Sequence, residues 1–435
     1  MAAERGSWVP GADGSGFGIE HLPYGVIRRA GESPRELPRV AVRIGDWALD
    51  VAEVLEAGLL VVPGLTMEVL RAPALNGFLE LGPSVWSATR ASVIALLDAA
   101  GGGEREVGAL GSGALVPLAA VEVLMPVAVG DYVDFYSSLA HASNLGRIMR
   151  PGSEGLLPNW RHLPVGYHGR AGSIVVSGTP IRRPWGQRGP GGASEGPSFG
   201  EGSEGPSFGP ERQLDFELEL GFVTGAGPGA APIPARAAGD YIFGVVLVND
   251  WSAREIQRWE AQPLGPFLGK SFATSIAGWV TPLEALAPHR VRGAAQDPPV
   301  LPYLRTDEPW TFDLDLKVAI VPGGSGTETT VTRTSARELY WNPAQQLAHA
   351  SSGGATVRAG DLFASGTISG PEPGSYGSLI ELSWGGTRSV TLDGAERTFL
   401  EDGDTVIMRG VAAGGGGRPR LELGEVRGTV VGAGA

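Results

Sequence analysis

Short strand-like runs cut by glycine and proline, with few helical stretches between them, predict a mainly β protein with a few helices. Three observations carry that prediction. Residues 214–222 read LDFELELGF and alternate apolar with acidic side chains, the period-two pattern of a strand with one face in a core. Residues 241–250 read YIFGVVLVND, a near-continuous apolar run of the kind found in strands buried on both faces. The 68 glycines and 34 prolines divide much of the remainder into segments too short for alternating βα units.

Taken in order, residues 39–44 and 47–51 are expected as strands and 86–99 as an amphipathic helix, stopped by the glycines at 101–103. Further strands are expected at 173–177, 214–222, 241–248, 311–321, 379–383 and 404–408. Helices are expected near 137–149, 252–259 and 335–351. The chain reads as two units, residues 1–125 and 126–435. Between 186 and 211 the composition collapses to Gly, Ser, Glu and Pro, and the heptad SEGPSFG occurs twice, at 194–200 and 203–209. That insertion is expected to be a mobile surface loop.

Bulk composition removes several function classes. With 435 residues and 42% apolar content, the chain can bury two cores. A net charge of −13 argues against nucleic acid or an anionic membrane as partner. The absence of cysteine excludes disulfides, thiolate catalysis and cysteine-based zinc sites. No apolar leader opens the chain and no run approaches 18 apolar residues, so a cytoplasmic protein is expected.

The acidic strand carries the chemistry. Asp215, Glu217 and Glu219 share one face with no basic residue between them. Neighbouring pairs sit roughly 7 Å apart and repel by about 2 kcal/mol at an effective dielectric of about 20. Solvent relieves that at an exposed edge, and a bound cation relieves it in a buried one. Oxygen-only ligands suit Mg²⁺ or Ca²⁺. Asp250 closes the apolar run, either as a cap for the helix that follows or as a further ligand. Asp131 and Asp134 lie on a third strand-like stretch just before a Ser-Ser helix start.

Around these carboxylates stand the candidate catalytic groups. His141, early in the helix after Asp134, is the best general base, with His162 and His168 as rivals. Arg254 and Gln257 share a helix face beside Asp250 and could meet an anion or a developing oxyanion. Only Lys270 and Lys317 are lysines among 34 basic residues, so a lysine at 270 points to a place for a compact ammonium. Glu381 interrupts an apolar segment and needs a partner if buried.

Seven stretches then resemble one family. GDYVDFYSS, MRPGSEGLLPNWRHLPVGYHGR, SGTPIRRPWGQ, LDFELELGF, VNDWSAREIQRWE, PLGPFLGKSF and ASGTISGPEPGSYGSLIELSW occur in the order found in the fumarylacetoacetase family, and IEHLPYGV at 19–26 extends the likeness. The resemblance implies an SH3-like N-terminal barrel followed by a mixed β-roll, assembled as a homodimer. It implies metal-dependent hydrolysis of a carbon–carbon bond in a dicarboxylate diketone. The implied metal carboxylates are Asp134, Glu217, Glu219 and Asp250, with a second ion touching Lys270 and Thr274. His141 is implied as the base, Glu381 as the acid that orients it, and Arg254, Gln257 and Lys270 as oxyanion donors. Tyr136, Arg150, Tyr167, Gln257 and Thr367 are implied substrate contacts, whereas Ala261 stands where the family has a substrate-contacting tyrosine. Two other readings stay open: another acylpyruvate-type hydrolase or decarboxylase, and a non-catalytic Ca²⁺-stabilised β protein.

Overall fold

A computed structural model describes residues 5–31, 33, 37–190 and 205–434. Among them the architecture is mainly β, as the pattern predicts. The principal sheet runs in the order Leu115–Pro117, Trp47–Asp50, Arg39–Ile44, Tyr24–Arg29, Trp279–Pro282, Ile242–Asp250, Leu218–Thr224, Leu362–Ala364, Tyr132–Phe135, Gly166–Gly169. Its middle is the pair Leu218–Thr224 and Ile242–Asp250, antiparallel and buried along their whole length. A second sheet of five strands, centred on Thr405–Ala412 and Leu421–Val431, packs against Ile242–Asp250.

The N-terminal strands extend this sheet rather than closing on themselves. Tyr24 of the Tyr24–Arg29 strand pairs with Val280 of Trp279–Pro282, and no closed barrel forms among the described residues. The expected SH3-like barrel is therefore not found. One apolar cluster runs continuously from Val9 to Val430 and takes side chains from both parts of the chain.

Several local expectations change. Residues 335–351 do not form one helix: a 3₁₀ turn, Ala336–Glu338, precedes the helix Pro343–Ser351. Pro343 disfavours helical backbone at the residue before it, and Asn342 instead caps the helix, with Gln345 completing a capping box. The helix expected from 252 begins at Arg254, because Ser252–Ala253 pairs with Leu214–Asp215. Residues 379–383 are a short helix, Leu379–Leu382, not a strand. The 186–211 insertion keeps regular structure at both ends: Trp185–Arg188 and Ser207–Pro210 pair as antiparallel strands, and Glu211 is buried, accepting from the backbone N–H groups of Glu255 and Ile256. The expected loop character of 191–204 lies outside the described residues.

One glycine is obligatory beside the site. Gly366 has φ +76°, and a Cβ there would lie 2.1 Å from the Phe135 carbonyl oxygen. Its N–H donates to Glu219 Oε2 at 3.1 Å. Gly366→Ala is expected to cost about 2–4 kcal/mol of stability, from a left-handed alanine and a backbone clash together. Urea denaturation checks this; a loss below ~1 kcal/mol would show that the turn relaxes without strain.

Candidate active site

Sheet register brings the acidic residues together. Side chains directly opposite in neighbouring strands share a face. Glu219 lies opposite Val248, which puts Glu217, Glu219 and Asp250 on one face. Asp250 faces Thr274, Gly221 faces Ala364, Ala364 faces Asp134, and Asp134 faces Tyr167. Five strands thus present acidic and hydroxyl groups on a single surface. Ligand oxygens of Asp134, Glu217, Glu219 and Asp250 lie within 4.8 Å of one another, and all four residues are buried.

Asp215 departs from this face. The strand breaks at Phe216 and Glu217, between Leu214–Asp215 and Leu218–Thr224. The Asp215 carboxylate turns to Arg254 and to backbone N–H groups of Leu379 and Ile380. Strict alternation predicts three acids on one surface; the structure delivers two, with Asp134 and Asp250 completing the set. Nor does Asp250 cap the following helix, whose N-cap is Ala253.

Two cations answer the cluster. Lys270 Nζ lies 2.7 Å from Glu217 Oε2 and 2.7 Å from Asp250 Oδ2. Arg254 Nη1 lies 2.7 Å from Glu217 Oε1. Asp250 also accepts from Thr274 Oγ1 at 2.7 Å and from Tyr167 Oη at 3.1 Å. Lys270 and Thr274 therefore both meet the cluster through Asp250. Burial by itself would raise Glu217, but Lys270 and Arg254 reverse that and hold it below the ordinary range. Asp134 and Glu219 go the other way. Burial, then the neighbouring carboxylates, push both well above it. Asp134 Oδ1 and Glu219 Oε1 are buried without a hydrogen-bond partner. Orphaned acceptors in an all-oxygen cluster are what a hard divalent cation would satisfy, so these residues fit such an ion.

Beside the cluster stands a buried acid–base pair. The helix Leu139–Met149 is capped by Ser138, whose hydroxyl faces the His141 N–H. His141 Nδ1 is 2.7 Å from Glu381 Oε2, and the imidazole sits edge-on to Tyr136, ring centroids 5.3 Å apart. Glu381 also accepts from Ser369 Oγ, Ser378 Oγ and Asn144 Nδ2 at 2.8, 2.7 and 3.0 Å. Burial favours its neutral form, but His141 and these donors outweigh it and keep the carboxyl below its usual range. An anionic Glu381 holding Nδ1 leaves Nε2 to act as a base. The rivals His162 and His168 are exposed.

The remaining candidates are placed as follows. Gln257 Oε1 accepts from Arg254 Nη1 at 3.0 Å, which leaves its amide NH₂ to donate elsewhere. Arg254 Nη2 lies 2.8 Å from Asp215 Oδ2 without a well-directed hydrogen bond to it, and the Thr367 hydroxyl is buried and unpartnered. Tyr136 Oη donates to the Ala142 carbonyl at 3.3 Å. Arg150, at the exposed end of the His141 helix, donates to the Gly155 carbonyl at 2.6 Å. Ala261 ends the helix Arg254–Glu260. Sequence reasoning missed Asn144, Ser369 and Ser378. Asn144 was findable, because it lies three residues after His141 on the same helix face.

Raised values at Asp134 and Glu219 have a thermodynamic consequence. For a carboxyl whose folded-state value exceeds its unfolded one, the stabilising contribution is full below the ordinary carboxylate range and is lost as pH rises through the raised value. A divalent ion held by these carboxylates would replace the proton. The Tm gain from saturating Mg²⁺ or Ca²⁺ is therefore expected to be larger at about pH 8 than at about pH 6, with protons released on binding. Calorimetry in buffers of different ionisation enthalpy checks both; a gain that shrinks with pH would refute the assignment.

The chain is similar to known proteins along nearly its whole length. Residues 132–431 match the family described as Fumarylacetoacetate (FAA) hydrolase C-terminal, and residues 20–126 that described as Fumarylacetoacetase N-terminal. The fumarylacetoacetase of Bos taurus is 47% identical over 429 residues, with 98% of each chain covered. That of Homo sapiens is 45% identical over 427 residues, with the same coverage. A solved fumarylacetoacetate hydrolase from Exiguobacterium antarcticum shares the fold, with TM-score 0.50 and 16% identity over 94% of this chain and 99% of that one.

Proposed function

The chain belongs to the fumarylacetoacetase family, and on that premise we propose that it hydrolyses a carbon–carbon bond of 4-fumarylacetoacetate, giving fumarate and acetoacetate. The observation that carries the reading is the pairing of a buried His141–Glu381 dyad with a four-carboxylate cluster whose acceptors lack partners. A non-catalytic metal-stabilised protein has use for the second feature and none for the first.

In this reading His141 Nε2 takes a proton from water as the water oxygen adds to the carbonyl carbon of the fumaryl group. Glu381 holds Nδ1–H and stabilises the imidazolium as it forms. The alkoxide meets the Arg254 guanidinium, the Gln257 amide and the remaining N–H of Lys270. Its collapse breaks the carbon–carbon bond, and the electron pair leaves on the acetoacetate fragment. The proton held by His141 then goes to that carbon. Asp134, Glu217, Glu219 and Asp250 would hold a divalent ion, which when bound supplies positive charge to the diketone oxygens and the departing enolate. Tyr136, Arg150, Tyr167 and Thr367 are assigned to the substrate, with Arg150 answering a terminal carboxylate. Ala261 leaves one family contact unmade. Mg²⁺ or Ca²⁺ as the ion, a homodimer as the assembly and the cytoplasm as the location complete the reading. They are supported by the oxygen-only donor set and the family likeness. Among the described residues no helix is long and apolar enough to cross a membrane.

Purified protein incubated with fumarylacetoacetate should consume the conjugated-diketone absorbance, and a chelator should stop it. Full activity on other acylpyruvates with none on fumarylacetoacetate would move the chain to a sister activity. His141→Ala should lose about 10²–10⁴-fold in kcat while still binding metal. Glu381→Gln should lose part of that factor, and the double variant should be little worse than His141→Ala, because the two act as a unit. Multiplicative losses at saturating metal would separate the two residues.

A further inference from the structure

Asp215 belongs neither to the carboxylate cluster nor to the proton relay, yet its carboxylate is fully buried and accepts four hydrogen bonds. Oδ2 accepts from Arg254 Nε at 2.8 Å and from the Ile380 N–H at 3.0 Å. Oδ1 accepts from the Leu379 N–H at 2.7 Å and the Phe216 N–H at 2.8 Å. Leu379 and Ile380 immediately precede Glu381 in the short helix Leu379–Leu382. One carboxylate therefore grips the guanidinium assigned to the alkoxide and the backbone that carries the acid orienting His141. These segments are 39 and 164 residues away in sequence.

We propose that Asp215 is a positioning residue that keeps the oxyanion arm, Arg254, and the base arm, Glu381–His141, in register. The argument is geometric. A four-residue helix has little rigidity of its own, and here its first two N–H groups are fixed by a side chain rather than by a preceding turn. Arg254 has Nε and Nη2 both 2.8 Å from Asp215 Oδ2 and Nη1 held by Glu217 and Gln257, which fixes the plane of the guanidinium. Removing the shared acceptor frees both arms at once. A displacement of about 1 Å at such groups costs on the order of 10²-fold in rate.

The kinetic part of the test rests on the hydrolase reading; the spectroscopic part does not. Asp215→Asn keeps the side-chain volume but must turn an amide NH₂ toward either the guanidinium or the helix N–H groups, setting donors against donors. Its kcat should fall about 10²-fold with KM within about threefold of wild type, and with Mg²⁺ affinity by calorimetry unchanged. In a Glu381→Gln background the same substitution should cost less than about a third of that factor, since part of the arm it positions is already lost. Proton NMR in water should show a low-field imidazole N–H resonance, identified by its loss in His141→Gln, that moves upfield in Asp215→Asn. Should Asp215→Asn fail to fold, Asp215→Glu keeps the charge, shifts it by one methylene, and is expected to show the same kcat loss and resonance shift. A kcat near wild type, a full multiplicative cost in the Glu381→Gln background, a loss confined to KM or an unmoved resonance would each overturn the proposal. Wild-type protein inactive on fumarylacetoacetate would sink the substrate reading alone, leaving the resonance to decide the role of Asp215.

Discussion

Four carboxylates on one buried sheet face are answered by two cationic side chains, and the rest of the site follows from that imbalance. Oxygens within 4.8 Å of one another repel by about 3 kcal/mol per charged pair at an effective dielectric of about 20. A fold with a total stability of about 5–15 kcal/mol does not carry several such terms unrelieved. Lys270 and Arg254 relieve one side of the cluster, so Glu217, which touches both, is held in its charged form. Asp134 and Glu219 stand on the other side, where burial and the neighbouring carboxylates favour their protonated forms. The cluster is thus polarised before anything binds.

That polarity orders the chemistry around it. The cationic side leads to Arg254 and Gln257, where negative charge would gather, and His141 with Glu381 stands beside it. Glu381 spends its acceptors on one imidazole, two serines and an asparagine, so the imidazole has one orientation rather than several. Buried polar networks of this kind stabilise only when every member is satisfied. Among the buried polar atoms without a hydrogen bond are those of Asp134, Glu219 and Thr367, residues assigned here to ion and substrate. Elsewhere the N-terminal strands join the principal sheet, and the main apolar cluster draws side chains from both parts of the chain.

Much of this was legible in the chain. The alternation at 214–222 marked a strand with an acidic face, and the apolar run at 241–250 marked a central strand ending on an acid. Lys270, one of only two lysines among many arginines, pointed to an ammonium, which the structure finds between two carboxylates. The helix after Asp134 and the histidine within it were readable from a serine start and a helical pattern. These signals are local: they depend on side-chain period, on capping chemistry and on residue type. The family likeness added roles that no period or spacing carries.

The sequence by itself determined which strands would be buried, which residues carry charge among them, and that oxygen ligands dominate. Only the tertiary structure decided which carboxylates share a site. Register across four strands joins Asp134 to Glu219 and Asp250, while a two-residue break in the strand removes Asp215 from the set that alternation would give it. The same break lets Asp215 reach a helix that the local pattern reads as a strand, because four apolar and acidic residues fit either form until a distant acceptor takes their N–H groups. Pairings between segments 164 residues apart leave no trace in local periodicity. They exist because buried donors and acceptors must find partners wherever the fold brings them.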